Sequence, residues 1–330
     1  MCPHLRPCRQ TLRAASLFGV SLFRYASPHT GLADGRVTIP RTSLTAAKGK
    51  FRMHWAWPWN DRAGRFSPLK AVTFLGMFYP GIWLIYQVET ENFGRTPLAG
   101  LTYWSGVWAM ALLLLALAVT PAAKIFRWPQ AVLVRRMIGV TALLYSIAHL
   151  FIYFALRFWD FGSIGYEMIT RISLIIATIS LIGLIPLGMT SLDVAVKWMG
   201  ATNWRRLHDT VYVLTVLALI HFLLSPGVYP PQYLMTGMFF WLMVWRYLEK
   251  NGKGRDIRTL VLLALATWCV AAFSETGWIW VYHDFEPGWT FANNFRTNFG
   301  ISPAWKVFAV ALAVPLLAYF RASKKRETAV

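Results

Sequence analysis

Three of the seven histidines, His149, His208 and His221, lie inside or at the edge of long apolar runs. An imidazole in hydrocarbon is costly unless something uses it, so intramembrane ionisable residues are functional candidates. In such places histidines carry protons, bind metal ions or serve as axial ligands to haem. Their spacing favours haem. His149 stands 13 residues after Arg136, and His221 stands 13 residues after His208. At 1.5 Å per residue each interval advances roughly 20 Å. His149 and His221 therefore reach one depth near one membrane face, while His208 is level with Arg135 and Arg136 near the other. At about 100° per residue, Arg135 and His149 share a face to within about 40°, whereas His208 and His221 diverge by about 140°. His208 escapes that mismatch if the backbone at the helix entrance is not ideal. A lone membrane histidine can simply bond across a helix interface, but three at matched depths ask for more.

The elements that must position these residues read as membrane helices. The chain has 330 residues, 56% of them hydrophobic, and a mean hydropathy of +0.44. Apolar runs cover about 69–87, 103–121, 137–156, 172–189, 209–224, 233–248, 258–274 and 304–320. Several approach the roughly 20 residues needed to span a bilayer. The fold expected is all-α, a polytopic bundle of about eight transmembrane helices. The net charge of +19 does not indicate nucleic acid, because Lys and Arg fall in short clusters between apolar runs. Loops 122–136, 190–208 and 249–258 and the tail are basic, whereas the intervening loops carry Glu89 and Glu91, Asp160 and Glu167, and Glu275, Asp284 and Glu286. By the positive-inside rule both termini are cytoplasmic, and Arg135–Arg136 and Arg205–Arg206 anchor helix ends among anionic lipids. The aromatic loop 275–303 and the short loop 225–232 then lie outside, where a soluble acceptor would dock, with Asp284 and Glu286 steering it.

Residues 1–52 carry nine basic residues against one acid, Asp34. They read as an organelle transit peptide or as a non-native leader ahead of a second start at Met53, and the second reading is preferred. The domain division expected is 1–65 leader, 66–248 haem-binding core and 249–330 additional helix pair. Cys2, Cys8 and Cys269 form no CxxC, so neither a zinc ribbon nor a redox motif is supported. His4, His29, His54 and His283 receive no chemistry.

Specific residues carry a resemblance. Arg135-Arg136-Met-Ile-Gly-Val with Tyr145 and His149, Pro186-Leu187 with Thr190-Ser191, and Trp204-Arg205-Arg206-Leu207-His208 with Val211-Tyr212 and His221-Phe222 resemble the ferric-reductase-like transmembrane domain. Within it the chain is similar to the haem-binding subunit of the bacterial periplasmic methionine sulfoxide reductase system, over about residues 66–248. The resemblance implies a six-helix core, with residues 258–330 adding two helices. It implies b-type haem, with haem histidines at His149, His208 and His221. Electrons would come from the quinone pool or a cytoplasmic flavin reductase and pass to a periplasmic molybdenum-containing reductase across a bacterial inner membrane. FMN is also associated with the family, and nothing in the sequence locates a site for it. Wider relatives carry a second histidine in the third segment, where this chain has Arg135 or Arg136, residues that could also contact haem propionates. A single haem between His149 and His221 is expected. His208 either binds a second haem or lines the entry site for electrons.

A proton-coupled transporter using the same histidines is the alternative, but the sequence shows no inverted repeat and no paired broken segments. No G-x-G-x-x-G occurs in a strand–helix setting, so a soluble dinucleotide domain is not indicated. The topology has a direct check. A reporter fused at residue 285 is expected on the outer side, and cytoplasmic reporter activity there would overturn the orientation.

Overall fold

The computed structural model describes residues 57–60, 64–225, 231–283, 285–296 and 300–327. Among these there is no strand, and the helices are α1 Pro68–Gly76, α2 Tyr79–Glu89, α3 Pro97–Ile125, α4 Val132–Leu156, α5 Phe161–Thr170 and α6 Ile172–Met189. They continue as α7 Asp193–Met199, α8 Ala201–Asp209, α9 Val211–Leu224, α10 Pro231–Lys250, α11 Ile257–His283, α12 Pro287–Asn293 and α13 Pro303–Glu327. Seven stretches are long and apolar enough to cross a membrane: Pro68–Glu89, Pro97–Ile125, Pro129–Leu156, Ile172–Met189, Ala201–Leu224, Ile257–Tyr282 and Pro303–Arg321. The eighth expected segment is α10. It falls short in composition because it is an inner helix, with Trp241, Leu242 and Trp245 buried. A helix surrounded by protein need not present apolar residues to lipid on every side.

The central element is α3. It packs against α2, α4, α9 and α10, and most of its middle is buried, from Val107 to Ile125. Around it, α4 and α6 pack together, α6 packs on α9, and α11 and α13 pack on α10. Large apolar side chains such as Ile82, Ile85, Ile182 and Leu262 remain exposed, as expected where lipid replaces water as solvent.

Pro121 lies inside α3 and is fully buried. Having no N–H, it cannot bond the carbonyl four residues back, at Leu117. Arg246 of α10 supplies the missing donor: Nη2 reaches Leu117 O at 2.7 Å, Nη1 bonds Leu242 O at 2.9 Å and Nε bonds Tyr212 Oη at 3.3 Å. The guanidinium carbon also sits 5.1 Å from the Tyr212 ring centre. One half-buried cation thus ties α3, α9 and α10 together.

The first span is broken. α1 ends at Gly76 and α2 begins at Tyr79, with Pro80 in its first turn. Tyr145 of α4 closes the break, its hydroxyl donating to Met77 O at 3.0 Å and accepting from Gly81 N at 2.9 Å.

Several segments depart from the sequence expectations. Trp57 and Trp59 stack at 5.1 Å, and Lys70 bonds Asn60 O at 2.9 Å. These contacts lie on the N-terminal side of the expected boundary at 66; residues 1–56 and 61–63 lie outside the described residues. The loop expected from 275 is helical to His283, because Ala271, Ala272, Thr276 and Trp278 keep α11 buried past its apolar run. Within the same loop, Pro287–Asn293 forms α12, while Asp284 lies outside the described residues. The 157–171 connection contains α5, whose N-terminus is capped by Asp160 through Gly162 N and Ser163 N. The 190–208 loop folds into α7 and α8, joined by Gly200 at φ +79°, a conformation that favours glycine. On α11, Thr259 donates from its hydroxyl and amide to the exposed Asp256, holding that carboxylate below its usual pKa.

Replacing Arg246 by methionine keeps the bulk but orphans Leu117 O. Such a loss costs about 1–3 kcal/mol, so thermal unfolding in detergent is expected to move to clearly lower temperature, with Tyr212→Phe changing it less. An unchanged transition in Arg246→Met would show that another group serves the carbonyl.

Candidate functional site

His149 on α4 and His221 on α9 are brought together edge-on, their ring centres 6.4 Å apart and their planes 65° from parallel. Each ring is fixed through the same nitrogen. His149 Nδ1 bonds Thr102 O of α3 at 2.8 Å, and His221 Nδ1 bonds Ser173 O of α6 at 2.9 Å. A carbonyl can only accept, so both Nδ1 atoms carry the proton and both Nε2 atoms keep a free lone pair. Ser105 adds a second contact to His149 Nδ1 at 3.1 Å while donating to Thr102 O at 3.0 Å.

Room for the His149 ring comes from Gly106. A Cβ at that position would lie 3.0 Å from His149 Cε1 and 3.2 Å from Nδ1, closer than the pinned ring can accept. Thr102, Ser105, Gly106 and Ser173 were not singled out in the sequence. Only the spacing of the three α3 residues, one helical turn from Thr102 to Gly106, hints at a shared face, and that hint needs the partner helix to be read.

His208 lies elsewhere. It is the penultimate residue of α8, and Thr210 separates α8 from α9. Its Nε2 stands 3.2 Å from Thr190 Oγ1, whose own hydrogen goes to Pro186 O at 2.6 Å, so Nε2 is the donor. Trp204 stacks on the imidazole at 4.0 Å and bonds Thr190 O at 2.9 Å. Arg136 lies 5.9 Å from the Trp204 ring centre and pairs with Asp193. Arg135 is half-buried and close enough to act electrostatically on His208. No second imidazole faces His208 among the described residues. The structure therefore joins two of the three expected histidines and gathers the third with Arg135, Arg136 and Trp204 at the opposite end of the bundle.

Among the described residues no three His, Cys, Asp or Glu side chains converge to hold a bare metal ion. Two opposed imidazoles suit a group that brings its own in-plane donors. With metal–nitrogen bonds of about 2 Å, two rings on opposite sides of one iron would have centres about 6 Å apart, close to the separation observed.

A helical bundle that brings two imidazoles from separate spans together fits the ferric-reductase-like membrane proteins, and residues 105–219 match the model described as ferric reductase like transmembrane component. The chain belongs to the family of protein-methionine-sulfoxide reductase heme-binding subunits, MsrQ, and is a multi-pass membrane protein. The subunit of Caulobacter vibrioides is 33% identical over 180 residues, which is 54% of this chain and 86% of that protein. The Cronobacter sakazakii subunit is 30% identical over 188 residues, 56% of this chain and 94% of that protein. The Azospira oryzae subunit is 31% identical over 160 residues, 48% and 69% respectively. No solved structure matches the chain.

Trp204 tethers α8 to the end of α6 and covers His208. Trp204→Ala is expected to loosen α8, so that trypsin cleaves after the exposed Arg205 and Arg206 several-fold faster in detergent. Unaltered cleavage would mean that the tether lies elsewhere.

Proposed function

We propose that this chain is the haem b electron-transfer subunit of a methionine sulfoxide reductase system in a bacterial inner membrane, with both termini cytoplasmic. The observation that carries the reading is the His149–His221 pair, opposed across one gap with both Nε2 atoms free. Haem, when bound, supplies a one-electron redox centre. His149 and His221 would hold the haem through Nε2, and the chain fixes the tautomer and orientation of both rings. Bonds from Nδ1 to a carbonyl make an imidazole a stronger ligand and fix its plane. Gly106 keeps that plane accessible, and residues 66–248 form the unit that carries the site, with 249–330 an added helix pair.

His208, with Arg135, Arg136, Thr190 and Trp204, marks the cytoplasmic side, where a quinone or a flavin reductase is the electron donor. The outer ends of α4, α6 and α9 face a periplasmic molybdenum-containing reductase, and lipids surround the rest. FMN is the second cofactor associated with this reading.

A reduced-minus-oxidised optical spectrum of the purified chain tests the proposal. His149→Ala and His221→Ala are each expected to abolish the haem signal, whereas His208→Ala keeps it. Gly106→Val is expected to reduce haem retention about 10–100-fold, the usual cost of losing a ligand-orienting contact. Full haem content in both His149→Ala and His221→Ala would refute the ligand pair.

A further inference from the structure

Two cations and one buried acid meet above the facing imidazoles. Arg157 follows the last residue of α4, eight residues beyond His149 and so about 12 Å farther along the axis. Arg171 precedes α6 by one residue and stands two residues before Ser173, whose carbonyl holds His221. Both guanidinium groups turn to Glu167 of α5. Arg157 pairs with Glu167 Oε1, Arg171 Nη2 lies 3.7 Å from the same oxygen, and Tyr153 donates to Oε2 at 2.6 Å. Glu167 is 7% exposed. Tyr153 is one turn above His149 on α4. The helix that carries His149 thus ends at Arg157, and the helix that holds His221 begins just after Arg171.

The charges do not balance. Two cations face one carboxylate, and the other acid in this segment, Asp160, is engaged with the amides of Gly162 and Ser163. Elsewhere, Arg246 is saturated by Leu117 O, Leu242 O and Tyr212, Arg135 and Arg136 lie at the His208 end, and Arg95, seven residues before Thr102, is exposed in the loop ahead of α3. A haem brings two propionate carboxylates, which cannot rest unpaired in hydrocarbon. Planar guanidinium groups are the side chains that match carboxylates with paired hydrogen bonds.

We infer that Arg157 and Arg171 anchor the propionate edge of the haem held by His149 and His221, with Glu167 and Tyr153 holding the two guanidinium groups in place. The inference rests on the haem reading above, and the test separates the two. Full-length protein from a haem-deficient host is titrated in detergent with haemin and with haemin dimethyl ester, whose propionates carry no charge. The wild type is expected to bind haemin roughly tenfold tighter than the ester, the size of one charge-assisted contact. Arg157→Gln and Arg171→Gln are expected to erase that preference while leaving ester affinity unchanged. If Arg157→Gln does not fold, Arg171→Gln, on the more exposed side chain, carries the comparison. Equal wild-type affinity for the two compounds would overturn the anchor, as would variants that keep the wild-type preference. A loss of affinity for both compounds alike, which marks mere loosening, would also overturn it. Failure of the wild type to bind either compound would instead remove the haem reading itself.

Discussion

Lipid offers no hydrogen bonds, so a main-chain polar group inside the bundle is costly unless it finds its partner within the protein. This constraint organises the whole molecule. Cross-helix bonds answer it, among them an imidazole Nδ1 on a main-chain carbonyl, a guanidinium on the carbonyl freed by a proline, and a tyrosine hydroxyl across a helix break. The first kind is also what orients the candidate ligands. His149 is bonded to α3 and His221 to α6, so each imidazole is fixed by a helix other than its own. The satisfaction of polar groups and the preparation of the site are one set of contacts.

Precision at the pair therefore depends on how α4 sits on α3 and how α9 sits on α6. Small residues permit both approaches: Gly106 admits the His149 ring, and Gly183 of α6 meets Leu214 of α9 so closely that any side chain there would collide with it. The C-terminal helices reinforce the same region. Trp278 of α11 donates to Leu223 O, and Gln232 of α10 donates to Phe222 O at 3.4 Å, both just past His221. The added helices thus bond main-chain carbonyls at the end of the helix that presents one imidazole.

Hydropathy and charge alternation made the spans and their order legible, and helical rise alone put His149 and His221 at one depth. What stayed hidden was whatever acts across helices. Thr102 and Ser173 contribute carbonyls, which every residue has, so their sequence identity carries no sign of the role. Glu167 read as one more acid in an outer loop, because nothing along the chain shows that Arg157 and Arg171 fold back onto it. Arg246 resembled a helix-end cation; its partner, Leu117 O, is exposed only by a proline 125 positions earlier (246 − 121). α10 carried an apolar run but failed the composition of a span, since its neighbours are protein rather than lipid. The short helices α5, α7, α8 and α12 escaped because they lie along the bundle ends, where neither a long apolar run nor a period of 3.6 is required.

The break between α1 and α2 bears on how the protein is made. Its two freed main-chain groups, Met77 O and Gly81 N, are served by a hydroxyl that lies 64 residues downstream of Gly81. At synthesis rates of about 5–20 residues per second, the first span leaves the ribosome roughly 3–13 s before Tyr145 exists. In that interval the nascent span carries a polar notch with no internal partner. It must wait at the headgroup boundary or against the insertion machinery until α4 enters. The order of biogenesis is thereby written into a single side chain, and the first of the described spans is completed only after α4 has been made.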